Sequence, residues 1–243
     1  MRGLMIMARW AWIGALLGIL YPAVAQNLLV NGNFNSGDTG FTHTGLTGGA
    51  SYTGTLAQLQ YSVTNSPAVA NTASPAYGPN AAHTTGVGAK VYVTKGGNAN
   101  NTTTTVWSET ITGITSGRYT FSGYAASASS ANAPTYKLTV TQGTAISGTF
   151  TSVNTGNVTP PTNTSASNNW GLFELGFNTT GYTGSLVFTI TMTTTTTANT
   201  STRANAIAWD DFVLTAPEPS TWAAAGFLTL VAGELVWRRY RRR

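Results

Sequence analysis

From residue 26 to residue 216 apolar and polar side chains alternate in short runs, and no stretch of ten or more residues carries apolar side chains at i, i+3, i+4 and i+7. A period of two is that of a strand with one buried face, whereas an amphipathic helix needs 3.6. The runs fall at 90–94, 106–112, 119–124, 136–140 and 186–192, punctuated by turn signals at Asn31-Gly32, Ser116-Gly117, Pro160-Pro161 and 181–184. Threonine supplies 44 of the 243 residues; its β-branched, polar side chain suits strands with a solvated face and disfavours helices. The pattern predicts an all-β, antiparallel sandwich or barrel. Residues 98–105 and 193–202 read as loops or strand extensions, and 65–83, with Pro67, Pro75 and Pro79, as a long irregular loop.

Charge narrows the function. The formal net charge of +5 suggests a polyanion partner until the charges are placed. Between residues 26 and 216, Lys90, Lys95, Arg118, Lys137 and Arg203 face Asp38, Glu109, Glu174, Asp210 and Asp211, five against five, so that body is neutral. Nucleic-acid binding needs clustered Lys and Arg to displace counterions, and nothing here supplies it. The absence of cysteine excludes a thiol nucleophile.

The excess charge sits at the ends. Arg2 and Arg9 precede an apolar run at 10–20, which closes on Tyr21-Pro22-Ala23-Val24-Ala25. This is the pattern of a signal peptide over residues 1–25, cleaved by signal peptidase after Ala25 in the Ala23-x-Ala25 site, so that the mature chain begins at Gln26 outside the cytoplasm. After a body domain of 26–216, residues 217–243 read Pro217-Glu218-Pro219, an apolar segment, and Arg238-Arg239-Tyr240-Arg241-Arg242-Arg243. As a helix, 221–237 spans roughly 26 Å, slightly short of the ~30 Å hydrocarbon core, and reads as a single inner-membrane crossing with the arginines left in the cytoplasm. Glu234 lies one helical turn from Arg238, with which it can pair.

This three-part tail resembles the PEP-CTERM sorting signal of Gram-negative bacterial surface proteins. The resemblance implies that Pro217, Glu218 and Pro219 mark the site at which a membrane enzyme, exosortase, processes the chain, with Arg238, Arg239, Arg241, Arg242 and Arg243 completing the signal. The prolines keep the tripeptide extended and out of the adjoining helix.

A second resemblance covers the body. Asn27-Leu28-Leu29-Val30-Asn31-Gly32-Asn33-Phe34-Asn35 looks like the opening strand and turn of galactose-binding-like, carbohydrate-binding jelly-roll modules. Residues 109–114 leading into 117–127, then 170–177 with 184–190, and Ala208-Trp209-Asp210-Asp211-Phe212-Val213-Leu214 are similar to that family's central, later and closing strands, in the same order. The resemblance implies a jelly-roll β-sandwich. It also implies a structural calcium ion joining first and last strands through Asp210, with Asn35 where the family often has Glu, because Ca²⁺ takes six to eight oxygen ligands.

Catalysis finds little footing. Neighbours on a regular strand point to opposite faces, so Asp210 and Asp211 are not expected to flank one glycosidic bond. Glu109 and Glu174 are isolated carboxylates. His43 and His83 have no acidic or histidine neighbour in sequence at metal-ligand spacing, and no Gly-x-Ser-x-Gly elbow occurs. Glycan binding needs exposed rings for sugar C–H faces, and the candidates are Trp107, Tyr52, Tyr61, Tyr77, Tyr92 and Tyr182, with Trp170 and Trp209 expected in the core. The sequence thus predicts an exported, non-enzymatic surface or matrix protein associated with exopolysaccharide or biofilm. The alternative is a dedicated carbohydrate-binding module with a specific saccharide ligand.

Overall fold

The computed structural model describes residues 27–49, 56–65, 81–83, 89–97, 102–128, 134–161, 169–194 and 206–216. The expected signal peptide with Ala23, Ala25 and Gln26, and the expected tail from Pro217 to Arg243 with its transmembrane helix, lie outside them.

Every helix or strand element among the described residues is a strand: β1 (Thr42–Thr44), β2 (Thr47–Gly49), β3 (Gln60–Thr64), β4 (Val91–Lys95), β5 (Thr103–Ile114), β6 (Arg118–Ser127), β7 (Thr135–Ser147), β8 (Val153–Asn154), β9 (Gly171–Asn178), β10 (Thr183–Thr193) and β11 (Ala206–Thr215). They form a five-stranded sheet, β1-β5-β10-β7-β8, and a six-stranded sheet, β2-β3-β4-β11-β6-β9. Successive strands from β5 to β7, and again from β9 to β11, alternate between the sheets, which is the crossover pattern of a jelly roll. Two expectations need correction. β2 pairs with β3 in parallel, with Thr47 opposite Gln60 and Gly49 opposite Ser62. Of the expected opening strand and turn at 27–35, the strand part is reduced to a bridge, Asn27 to Thr215, with the Leu28 amide donating to Leu214 O, and the rest is turns, where the Phe212 amide donates to Gly32 O. The Asn27 side chain takes the ladder's place there: its Nδ2 donates to Phe212 O and its Oδ1 accepts from the Leu214 amide.

The sheets pack on their apolar faces. β10 turns Leu186, Phe188, Ile190 and Met192 inward and its threonines outward, as the period of two requires. Across the interlayer, Phe121 of β6 stacks on Phe188 at 5.6 Å, and Tyr136 of β7 meets Trp209 of β11 edge-on at 4.9 Å. Trp209 Nε1 finds a buried acceptor in Thr94 Oγ1 at 3.0 Å. A smaller apolar cluster lies on the other face of the six-stranded sheet, where Val91, Val93, Ala206 and Ala208 pack with Leu56, Ala82 and Trp170. Asn27–Ala216 is one compact unit that holds all eleven strands and both clusters.

Candidate functional site

The site begins with a break in alternation on β11. Trp209 points into the core, and strict period two would send Asp211 in after it. Instead the pairing of β11 with β6 slips between Asp210 and Val213, and Asp211 adopts φ 51°. This is a β-bulge, and Asp is among the few residues that tolerate the left-handed region. One extra residue lets Phe212 follow Trp209 inward and keeps the Asp211 carboxylate out of the core. It also overturns the expectation that the paired aspartates diverge, since both reach one residue. Asp210 Oδ2 accepts from the His83 backbone amide and Asp211 Oδ2 lies against His83 Nδ1, each at 2.8 Å.

His83, without an acidic neighbour in sequence, therefore has two in space. Its ring stacks on Tyr124 of β6 with centroids 3.5 Å apart and planes 17° apart. Trp170, expected in the core, stands at the outer face instead, 6.1 Å from His83 and turned 75° to it. Tyr124 and Trp170 are half-buried, and the side chains of His83 and Asp211 remain 33% and 20% exposed. Leu172 of β9, opposite Tyr124 in register, is 56% exposed. Trp170 Nε1 is buried and has no hydrogen-bond partner. Asp211 also lines a cleft of about 230 Å³ between the first loop and the bulge, walled by Asn27, Asn31, Gly32 and Asn33. Asn31 holds that loop together: its Nδ2 donates to Gly37 O and its Oδ1 accepts from the Ser36 amide. Gly32 abuts β11 so closely that a Cβ there would lie 2.0 Å from Phe212 O.

The other sequence candidates sort by burial. Trp107, Tyr61, Tyr92 and Tyr182 are at most 5% exposed and serve as core, so none is a sugar platform; Tyr52 and Tyr77 lie outside the described residues. Trp209 is core, as expected. Glu174 is exposed on β9. Glu109 is buried between the sheets at 5% exposure, where Oε1 accepts from the Val30 amide at 2.8 Å and Oε2 has no partner. Burial pushes its carboxyl up to about 7, against the partial relief of the Val30 bond. His43 lies against the Tyr61 ring at 4.2 Å, and burial lowers its pKa. Tyr61 donates to Asp38 at 2.8 Å, and burial, aided by that bond, pushes its hydroxyl up to about 12.

The residues named for calcium serve different amides. Asp210 Oδ1 accepts from the Asp211 amide and Oδ2 from that of His83, whereas Asn35 Oδ1 accepts from the Lys90 amide. These bonds anchor both side chains, and the two residues alone supply fewer than the six to eight oxygens that calcium takes. Hydrogen-bond anchoring predicts the same thermal midpoint with and without a chelator; a drop of several degrees on chelation would restore the metal.

No protein-family model matches the sequence. No curated protein matches it either. Among solved structures, the chain aligns with TmCBM61 in complex with β-1,4-galactotriose at 14% identity and TM-score 0.47, covering 78% of this chain and 98% of that one. It aligns with Family 16 Carbohydrate Binding Module-2 at 12% identity and TM-score 0.45, covering 78% and 100%. A third alignment is to the CBM22-1 xylan-binding domain from Paenibacillus barcinonensis Xyn10C, at 14% identity and TM-score 0.43, covering 79% and 95%.

Proposed function

We propose that residues 26–216 form a non-catalytic saccharide-binding module whose ligand docks at the β11 bulge. The observation that carries this reading is the half-exposed ring cluster of His83, Tyr124 and Trp170 beside the Asp211 carboxylate. A pyranose offers an apolar C–H face and a rim of hydroxyls. Aromatic rings take the first and a fixed carboxylate accepts from the second. A neutral body favours a neutral polysaccharide. Affinity electrophoresis of residues 26–216 in gels cast with a panel of neutral polysaccharides tests it: the expected result is retardation in at least one gel with no release of reducing ends. Mobility unchanged in every gel would leave a structural protein without a sugar ligand, and released reducing ends would make it an enzyme.

The same proposal places the module outside the cell. Signal peptidase cleaves between Ala25 and Gln26. The helix after Pro219 holds the precursor in the inner membrane, and exosortase processes it at Pro217-Glu218-Pro219 for delivery to the surface or the exopolysaccharide matrix. The three-part tail supports this reading, since an ordinary anchor needs no Pro-Glu-Pro ahead of its helix. Mass spectrometry of the surface-released product should find Gln26 at its start and the arginine cluster gone; an intact Arg243 would contradict processing.

A further inference from the structure

We infer that the outer face of the five-stranded sheet is an ice-binding surface. Along β10 the outward residues are Val187, Thr189, Thr191 and Thr193. Their register partners on β5 are Thr110, Ser108, Thr105 and Thr103. Their partners on β7 are Thr141, Thr139, Lys137 and Thr135. Nine of these twelve positions are threonine, which extends onto β1 as Thr42 and Thr44. Only Lys137 carries charge and none of the twelve is aromatic.

The hydroxyls are held in place. Thr103 and Thr193 bond to each other at 2.9 Å, as do Ser108 and Thr189 at 3.2 Å. Ser108 also donates to Phe188 O at 3.0 Å, Thr191 to Lys137 O at 3.4 Å and Thr141 to Val187 O at 3.5 Å. With χ1 stiffened by β-branching, the threonines present their methyls in preferred rotamers, and those whose hydroxyls bond neighbours, among them Thr141, Thr189 and Thr191, are held further. The array repeats about 4.8 Å across strands and, along β10 and β7, about 6.8 Å, the rise of two residues; on β5 a register shift opposite Ile190 and Thr191 makes the step from Ser108 to Thr105 three residues. A ligand that uses such a grid must repeat in two dimensions on that scale, carry no charge and need no aromatic ring.

The oxygen lattice of ice meets all three conditions, and the preset rotamers reduce the ordering cost of docking. A saccharide would find no ring here for its C–H face. Sheet twist turns neighbouring strands by roughly 20–25°, so the matched patch is confined to three strands. The expected activity is therefore inhibition of ice recrystallisation, with little depression of the freezing point.

The test is ice-affinity partition of residues 26–216 together with a recrystallisation assay. The wild type should enrich in the ice fraction and keep grains small. Thr189→Tyr, at the centre of the grid, should abolish both with an unchanged melting midpoint, and Thr120→Tyr on the other sheet should change neither. Lys137→Thr, which removes the one charge from the array, should strengthen both. Exclusion of the wild type from ice, or a Thr189→Tyr variant that still partitions, would overturn the proposal. So would polysaccharide binding lost in Thr189→Tyr, which would give this face to a glycan. Failure of the sugar reading at the bulge would appear separately, as polysaccharide binding insensitive to Tyr124→Ala.

Discussion

Replacing Phe212 by Ala is expected to cost about 3–5 kcal/mol, the range for emptying a buried phenylalanine site. Phe212 is fully buried, and its ring touches Phe34 of the first loop at 5.1 Å and Trp107 of the opposite sheet at 5.2 Å. Phe121 at 5.6 Å and Phe173 at 5.8 Å complete the setting, so one side chain joins both sheets and the loop beside the bulge. Its backbone serves the same junction, since the amide donates to Gly32 O at 2.8 Å. The surrounding rings are too stiff to collapse into the void, which places the loss in the upper part of the range. At about 2–4 °C per kcal/mol for a domain of this size, the melting midpoint should fall by about 10 °C or more. Phe212→Leu retains most of the volume and should lose less than half as much. A midpoint within about 2 °C of wild type for Phe212→Ala would contradict the packing described.

Glu109 produces the second large effect, and it depends on pH. Its carboxyl is raised from 4.5 to about 7 in the folded chain. The stability that this raised pKa contributes is fully present below pH 4.5, where folded and unfolded chains are both protonated. It is lost as pH rises to about 7, because the unfolded chain gives up its proton first. A shift of about 2.5 units corresponds to about 3 kcal/mol. Glu109→Gln keeps an acceptor for the Val30 amide and removes the charge. Urea midpoints at pH 4.5 and pH 8 should show the variant close to wild type at the lower value and more stable by about 3 kcal/mol at the higher one. A constant difference across that window would mean that Glu109 ionises freely.

The fold was legible where alternation is strict. β10 and the first half of β7 follow their runs residue by residue, because a strand between two others has one buried and one solvated face. The bulge was also written in the sequence: Trp209 and Phe212 are large apolar residues three apart inside a run of alternating ones, a spacing that period two cannot bury without an extra residue. Read as a regular strand, that segment sends its aspartates to opposite faces, and the error hides the site. His83 carried no signal of its own, since its partners lie 127 and 128 residues away and only the sheet brings them together. Glu109 looked like any strand carboxylate, because burial depends on the first loop folding over it. Trp107, which shares its face with Glu109 and Ile111, and the described candidate tyrosines Tyr61, Tyr92 and Tyr182 are core, because between two sheets an aromatic ring is an effective filler of the interlayer.

The central claim, that the rings at the β11 bulge bind a saccharide, is tested most directly by comparing wild type with Tyr124→Ala and Asp211→Asn on the polysaccharide that retards the wild type. Stacking of a nucleobase on one aromatic is worth about 1–3 kcal/mol; with the same order for a sugar face, Tyr124→Ala should weaken binding by about tenfold or more and leave the fold intact by melting. Asp211→Asn, which removes the fixed carboxylate, should weaken it as well. Retention equal to wild type in both variants would contradict the assignment of this site.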